Sequence, residues 1–287
     1  MQDEYLIDKA RVRAAFDRAA ISYDAAAILQ KEVRERMLAR LDYVNLKPRT
    51  ILDAGSGTGH ATRRLAERYP DSRVIALDIA LGMLRHADVA EPWWKKWLGS
   101  PRPRLCADIE QLPLADQSLD FVWSSLAIQW CNNLDQTFSG LSRALRPEGL
   151  LMFSTFGPDT LKELRVAAAA DPEHVHVSRF IDMHDIGDAL VRNGFSAPVL
   201  DVEHFVLTYD DVIGVMRDLQ AIGARNAAQG RRRGLEGKGF LKRLADNYEQ
   251  FRQEGKLPAT FEVVYGHAWK SPQKDNPTGV SPIRFHR

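Results

Sequence analysis

The chain has 287 residues, of which 45% are hydrophobic and 27% are charged, the composition of an ordinary globular protein. Lysine and arginine number 39 against 38 acidic residues. The net charge therefore gives no reason to expect a nucleic acid or a membrane as partner. Cys106 and Cys131 form no CxxC pair, so we predict no metal site. No run approaches the roughly 18 apolar residues of a membrane span, and the N-terminus lacks a signal core, so the expected location is the cytoplasm.

The N-terminal part of the chain is predicted to be helical. Apolar residues recur three or four apart over residues 8–20 and 25–41, and we interpret residues 1–45 as a helical lid. Short apolar strands then alternate with helices. Such alternation predicts an α/β fold with a mostly parallel sheet covered on both faces. The predicted strands of this part are residues 50–54, 73–78, 104–107, 119–124 and 149–155.

The C-terminal part has a looser pattern. Two further strands are predicted at residues 198–208 and 260–269, and residues 209–256 between them read as a helical, basic insertion. We interpret residues 1–270 as one domain. The tail, residues 271–287, carries several prolines and is predicted to be flexible.

The most informative motif is the turn after the first predicted strand. The segment Ile51-Leu-Asp-Ala-Gly-Ser-Gly-Thr-Gly59 carries glycines at positions 55, 57 and 59. A strand that turns sharply into a helix needs residues without a Cβ where its backbone approaches a ligand. Three readings fit the glycines alone: a tight βα turn, a site for a nucleotide phosphate, or a cofactor site formed by Gly55, Gly57 and Gly59.

Acidic residues near the ends of the first three strands favour the cofactor site. Asp53 is suited to an amino group, Asp78 to ribose hydroxyls, and Asp108 with Ile109 to an adenine amino group. A phosphate fits poorly, because the turn carries Asp53 and lacks a GK[ST] lysine. The predicted cofactor set also contains Ile79, Met83 and Ser124.

Five segments in the first half of the chain resemble the class I S-adenosylmethionine-dependent methyltransferases. They read LDAGSGTG, ALDIA, CADIEQLPL, LDFVWSSLAIQW and LRPEGLLMFSTF, and together they span about residues 50–156. The resemblance implies S-adenosyl-L-methionine as cofactor. It also implies a Rossmann-like sheet of seven strands whose last hairpin is reversed.

A narrower resemblance covers almost the whole chain. Residues 16–24 (FDRAAISYD), 156–165 (FGPDTLKELR), 230–235 (GRRRGL) and 257–266 (LPATFEVVYG) are similar to the malonyl-acyl carrier protein O-methyltransferases that open biotin synthesis. Complex I assembly factors with arginine-hydroxylase activity share some of these stretches. An assembly factor or hydroxylase, and a methyltransferase for another small carboxylic acid or an RNA base, therefore remain alternatives.

The implied reaction methylates the free carboxylate of a malonyl thioester. This carboxylate is ionised at neutral pH, so no general base is needed, and catalysis must come from alignment and the exclusion of water. We expect an arginine, tyrosine or amide donor to hold it at a closed, mostly apolar mouth. Tyr23, Gln129 and Trp130 are the predicted catalytic residues, and Phe156 and His184 are further candidates for this mouth. The role of the cluster Trp93, Trp94 and Trp97 stays open.

The insertion concentrates positive charge. Between Arg225 and Arg243 seven basic residues stand against one acid, Glu236. Such blocks are often solvated helix faces. The resemblance implies instead that this block binds an acidic acyl carrier protein bearing the malonyl group, with malonyl-CoA as the alternative acceptor. The predicted carrier-binding residues are Arg225, Arg231, Arg232, Arg233, Lys238, Lys242 and Arg243.

Overall fold

A computed structural model describes residues 5–89, 103–169, 175, 177–224, 227–230 and 238–272. Within them, seven strands form one sheet in the order β3-β2-β1-β4-β5-β7-β6. Strands β1 to β5 run parallel, whereas β7 is antiparallel to both β5 and β6. This topology confirms the predicted sheet and its reversed final hairpin. The strands are β1 (Thr50–Ala54), β2 (Arg73–Asp78), β3 (Arg104–Cys106), β4 (Leu119–Ser125), β5 (Leu145–Phe156), β6 (Phe195–Tyr209) and β7 (Leu257–Lys270).

Helices cover both faces of the sheet. They are α1 (Lys9–Ala19), α2 (Tyr23–Ala26), α3 (Ile28–Arg40), α4 (His60–Arg68), α5 (Leu81–Val89), α6 (Leu134–Ala144), α7 (Lys162–Ala168), α8 (Met183–Arg192), α9 (Val212–Ala221) and α10 (Lys238–Tyr248). No helix in the described part of the chain has the length and apolarity to cross a membrane.

The side chains of β4 alternate between two hydrophobic cores. Phe121 and Trp123 belong to the core that packs against α3, α7, α9 and α10, while Val122 belongs to the core beneath α6 and α8. This alternation is the period-two pattern of a strand buried on both sides. The helices of the insertion, α9 and α10, thus complete a core that the sheet could not close alone.

Side-chain hydrogen bonds cap the N-termini of several helices. Asp8 accepts from the backbone of Arg11 at the start of α1, and Asp211 does the same for Gly214 in α9. Such caps satisfy amide groups that have no partner inside the helix. Helix α7 begins at Lys162, because Leu161 before it has a left-handed φ of 56°.

The N-terminal segment is joined to the insertion. Ile7 and Ala228 form an antiparallel bridge, flanked by Asp8 N to Ala227 O at 2.9 Å and Gln229 N to Leu6 O at 2.8 Å. These parts are more than two hundred residues apart in the chain, yet they lie together above the carboxyl ends of the parallel strands.

Candidate active site

The glycine turn forms one wall of a cleft at the carboxyl ends of the strands. Gly55, Gly57 and Gly59 all have positive φ, at 81°, 53° and 76°. A Cβ on Gly55 would lie 2.2 Å from the Cβ of Ala127, whereas the space beside Gly57 is open. The close approach at Gly55 and the positive φ values explain why this turn requires glycines.

A first cavity of about 80 Å³ lies against this turn. It is lined by the ends of β1, β2, β3 and β4, and the N-terminal helices cover it. The predicted cofactor residues on its wall are Gly55, Gly57, Asp78, Ile79, Met83, Asp108 and Ile109. Parallel strands that end side by side bring these separate segments to one edge of the sheet.

The remaining predicted cofactor residues lie behind this wall. Asp53 is 1% exposed and accepts a hydrogen bond from the Thr62 hydroxyl. Ser124 is buried, and its hydroxyl donates to the Ala54 carbonyl at 2.9 Å, so the neighbouring Ser125 lines the cavity in its place. Gly59 caps α4. In the structure these three residues support the turn from within the fold.

Of the two acidic residues on the wall of the first cavity, Asp78 accepts more backbone hydrogen bonds than Asp108 does. Its two carboxylate oxygens accept from the backbone nitrogens of Gly57 and Ala80, each at 2.8 Å. Burial raises its pKa to about 6, and burial likewise raises the pKa of Asp53 to about 7. Desolvation disfavours the charged form of both carboxyls, so a cationic ligand would favour their ionisation.

Three aromatic side chains cover the first cavity. The ring of Phe16 lies edge-on to Trp130, with centroids 5.4 Å apart, and its centroid is 6.5 Å from that of Tyr23. Burial, together with the carboxylates of Asp78 and Asp24, raises the pKa of the Tyr23 phenol. Tyr23 therefore stays neutral near pH 7 and is able to donate a hydrogen bond.

Asp24 fastens this aromatic cover to the glycine turn. It accepts from the Thr58 hydroxyl at 2.6 Å and lies 3.1 Å from Nε2 of His60. Although Asp24 is partly buried, these bonds lower its pKa below the usual range. Asp24 was not among the predicted site residues, although it follows Tyr23 at the end of the segment FDRAAISYD.

Lys9 lies on the wall of the first cavity beside Asp108, and it was not predicted from the sequence. Its ammonium group lies 3.0 Å from Asp108 and also pairs with Glu110. Asn132 holds the preceding segment, because its side chain accepts from Ile7 N at 2.7 Å and donates to Ile7 O at 3.0 Å. The cover is thus fixed at several points around the first cavity.

A second cavity of about 300 Å³ adjoins the first, and Trp130 lines both. Its walls come from β5, β7 and α7 and from the insertion helices α9 and α10. Phe156 lies in this wall, with its ring centroid 5.6 Å from that of Phe180. None of the lining side chains, in the part of the chain that the structure describes, is charged. The sequence analysis did not predict this cavity.

Gln129 carries an amide into the second cavity. Its Nε2 donates to the Leu126 carbonyl at 2.6 Å, and its Oε1 accepts from the Thr155 hydroxyl at 3.4 Å. The two bonds fix the orientation of the side chain. Of the three predicted catalytic residues, Tyr23 lines the first cavity, Gln129 lines the second, and Trp130 lines both.

Other candidates lie elsewhere. The His184 side chain is 80% exposed and bonds to Asp182 at 2.7 Å, a local contact outside both cavities. Lys242 and Arg243 are exposed on α10, and Lys238 begins that helix. Outside the described residues lie Arg225, Arg231, Arg232, Arg233, Trp93, Trp94, Trp97 and the tail from residue 273.

Comparison with known proteins adds independent findings. A family model described as a methyltransferase domain matches residues 52–153. The malonyl-[acyl-carrier protein] O-methyltransferase of Methylovorus sp. (strain MP688) is 65% identical over 285 residues, which cover 99% of this chain and 96% of that protein. The protein of the same name from Gallionella capsiferriformans (strain ES-2) is 57% identical, covering 98% of each chain.

Solved structures support the fold. A SAM-dependent methyltransferase from Thermotoga maritima is 14% identical and superimposes with a TM-score of 0.52, covering 91% of this chain and 100% of that one. At this level of identity the similarity concerns the architecture of the sheet and its helices alone.

Proposed function

Since the chain belongs to the malonyl-[acyl-carrier protein] O-methyltransferase family, we propose that it methylates the free carboxylate of malonyl-acyl carrier protein. The methyl donor is S-adenosyl-L-methionine. The product, a malonyl methyl ester, primes the pimeloyl chain of biotin, and the reaction takes place in the cytoplasm. The observation that carries the proposal is the junction at Trp130 of two cavities, one beside the glycine turn and one lined by the insertion.

The chemistry needs alignment and no proton transfer. When bound, the cofactor supplies an electrophilic methyl group on a sulfonium. A carboxylate oxygen forms the new bond to the methyl carbon while the carbon–sulfur bond breaks, and its electron pair stays on sulfur. Tyr23, on the wall of the first cavity, fits this demand, because its neutral phenol is a donor and not a base. Holding the reacting atoms in line supplies most of the rate gain in such a site.

The uncharged second cavity suits a reaction in which charge disappears. An anion and a cation combine to give two neutral products, so a strong ion pair made only to the starting carboxylate would slow the step. Gln129 offers a fixed amide, and Trp130 and Phe16 exclude water. We assign Gln129 and Tyr23 to holding the carboxylate and Trp130 to aligning it with the methyl group.

The cofactor would lie against the walls of the first cavity, whose volume of about 80 Å³ is smaller than that of pockets for ligands of this size, so the N-terminal helices would have to move outward to admit it. Its ribose hydroxyls fit Asp78, which ends β2, and its adenine fits the side of Asp108 and Ile109. Asp53 and Gly59 would act from behind by holding the turn. Cationic groups of the cofactor would further favour the ionised forms of Asp53 and Asp78, which are otherwise destabilised by burial.

The carrier protein would dock on the basic insertion. Helix α10 lines the second cavity through Phe240 and Leu244 and presents Lys242 and Arg243 to solvent. Acyl carrier proteins are acidic, so this placement brings complementary charge beside the entrance for the malonyl arm. The block of Arg231, Arg232 and Arg233 extends the same segment in the sequence.

A direct test is mass spectrometry of malonyl-acyl carrier protein after incubation with the enzyme and S-adenosylmethionine. We expect the mass of one methyl group to be added to the malonyl carrier. Transfer to RNA without transfer to any malonyl thioester would contradict the proposal. A biotin auxotroph that lacks its own methyltransferase tests the assembly-factor alternative, which failure of rescue by well-expressed protein would favour.

Replacement of Arg231, Arg232 and Arg233 by alanine tests carrier docking. At low salt we expect KM for malonyl-carrier protein to rise roughly tenfold, because steering between charged surfaces is lost, and the difference to shrink as salt is added. Malonyl-CoA is the control acceptor, since it lacks the acidic protein surface. An unchanged KM for the carrier substrate at low salt would remove the docking assignment.

A further inference from the structure

The second cavity has more apolar wall than a malonyl group is able to cover. Its volume is about 300 Å³, at the lower limit for pockets that hold drug-sized ligands. Aromatic and aliphatic side chains from five separate elements face it, among them Leu164, Met216 and Phe240. Malonyl has a single methylene between its carboxylate and its thioester. A malonyl group would therefore contact only a small part of this apolar wall.

The position of the second cavity indicates which part of an acceptor would occupy it. In the proposed reaction the carboxylate must lie at Trp130, where the two cavities meet. The atoms that follow the carboxylate then extend into the second cavity. With malonyl these atoms are one methylene, a polar thioester and an amide-bearing arm, and the polar groups gain little from apolar walls. With a longer acid they are methylene groups, which match such walls.

We infer that the second cavity holds the methylene spacer of ω-carboxyacyl thioesters, so that the enzyme also methylates acceptors longer than malonyl. The inference rests on the proposed function and extends its substrate class. The bond changes are the same as for malonyl: a carboxylate oxygen bonds to the methyl carbon, the carbon–sulfur bond breaks, and the electron pair stays on sulfur. No proton, oxidant or further reactant takes part.

The test compares malonyl, glutaryl and adipyl thioesters on acyl carrier protein, with transfer followed by mass spectrometry. We expect kcat/KM for glutaryl and adipyl to be at least about one tenth of the malonyl value, because an apolar pocket with spare room does not exclude added methylenes. Transfer to malonyl alone overturns the inference and leaves the proposed function standing. Transfer to the longer acids without malonyl refutes the proposed function and, with it, the inference that these acids are additional acceptors; transfer to none likewise overturns both.

Two substitutions in α7 locate the spacer. Ala168 and Leu164 both line the cavity and are 3% and 8% exposed. Ala168→Leu fills part of the cavity, so we expect the adipyl-to-malonyl ratio of kcat/KM to fall at least about fivefold, whereas Leu164→Ala should raise it. Asp246→Ala, on the exposed face of α10, is the control and should leave the ratio unchanged.

The two α7 variants change the volume in opposite directions, so a general loss of stability moves both ratios alike or neither. Thermal unfolding of each variant verifies that it is folded at the assay temperature. If both variants are folded and neither ratio moves, the spacer does not occupy this cavity and the inference is overturned.

Discussion

The two cavities that meet at Trp130 are built in different ways. One wall of the first is backbone, where glycines with positive φ and amide nitrogens hold Asp78 in place, and side chains form the rest. The second is formed mostly by apolar side chains from helices and strands far apart in the chain. The first arrangement fixes the position of a ligand atom by atom, whereas the second fixes only size and polarity.

The sharpest way to break the first cavity alone is Gly55→Ala. The added Cβ would lie 2.2 Å from Ala127 Cβ, so the turn must move, and we expect the Kd of S-adenosylmethionine to rise roughly a hundredfold. Gly255→Ala is the matched control, because Gly255 has a similar φ of 78° but open space around its Cβ. Calorimetric titration of both variants decides the matter, and equal affinities would show that the turn is not the cofactor wall.

Trp130→Ala tests the junction between the two cavities. Removing the ring loosens the alignment of carboxylate and methyl group, and we expect kcat/KM for malonyl-carrier protein to fall about thirtyfold. The Kd of S-adenosylmethionine should change much less, since the turn and Asp78 remain. Steady-state kinetics beside equilibrium titration separates the two effects. A loss confined to cofactor binding would place Trp130 in the first cavity only.

The first cavity should respond to pH and the second should not. Asp78 and Asp53 have pKa values raised to about 6 and about 7, and a cationic cofactor favours their ionised forms. Cofactor affinity should therefore rise about tenfold from pH 5 to pH 7. Asp78→Asn should flatten the part of the curve near pH 6. A titration that is independent of pH would contradict this assignment.

The stability of the free enzyme depends on pH in the opposite sense to cofactor affinity, because it falls as the pH rises through these two pKa values. Because burial raises both carboxyl pKa values, the folded chain binds these protons more tightly than the unfolded chain does. Their contribution to stability is complete below the ordinary value of 3.8 and is lost as the pH rises through about 6 and about 7. Asp53→Asn should thus stabilise the enzyme at pH 8 and have little effect near pH 4, as measured by denaturant unfolding.

The smallest effect is expected from a change in the cover, the N-terminal segment whose Phe16 and Tyr23 lie over the first cavity. Asn132→Ala removes the two hydrogen bonds that hold Ile7, each of which contributes about 1 kcal/mol. We expect S-adenosylhomocysteine to dissociate about fivefold faster, since the cover opens more often. Stopped-flow measurement of the release rate checks this. Gln250→Ala, which loses a hydrogen bond remote from the cavities, should leave that rate unchanged.

The sequence predicted the first cavity far better than the second, for a physical reason. The glycine turn and the acids Asp78 and Asp108 are short-range patterns, and the rule that parallel strands end at one edge is enough to assemble them. Even so, the pattern did not distinguish Ser124 from Ser125, because a shift of one residue along a strand reverses the side that a side chain faces. The second cavity depends on how α9 and α10 pack over the sheet, which periodicity does not reveal.

The bridge between Ile7 and Ala228 gives the two cavities a common boundary. The same pairing that holds the N-terminal helices over the first cavity also holds the insertion beside the second. A ligand that stabilised this pairing from the side of the insertion would also make it harder for the N-terminal segment to leave. Thermodynamic reciprocity then requires that each substrate change the affinity of the other by the same factor. The pairing of Ile7 with Ala228 would thus couple the two binding equilibria.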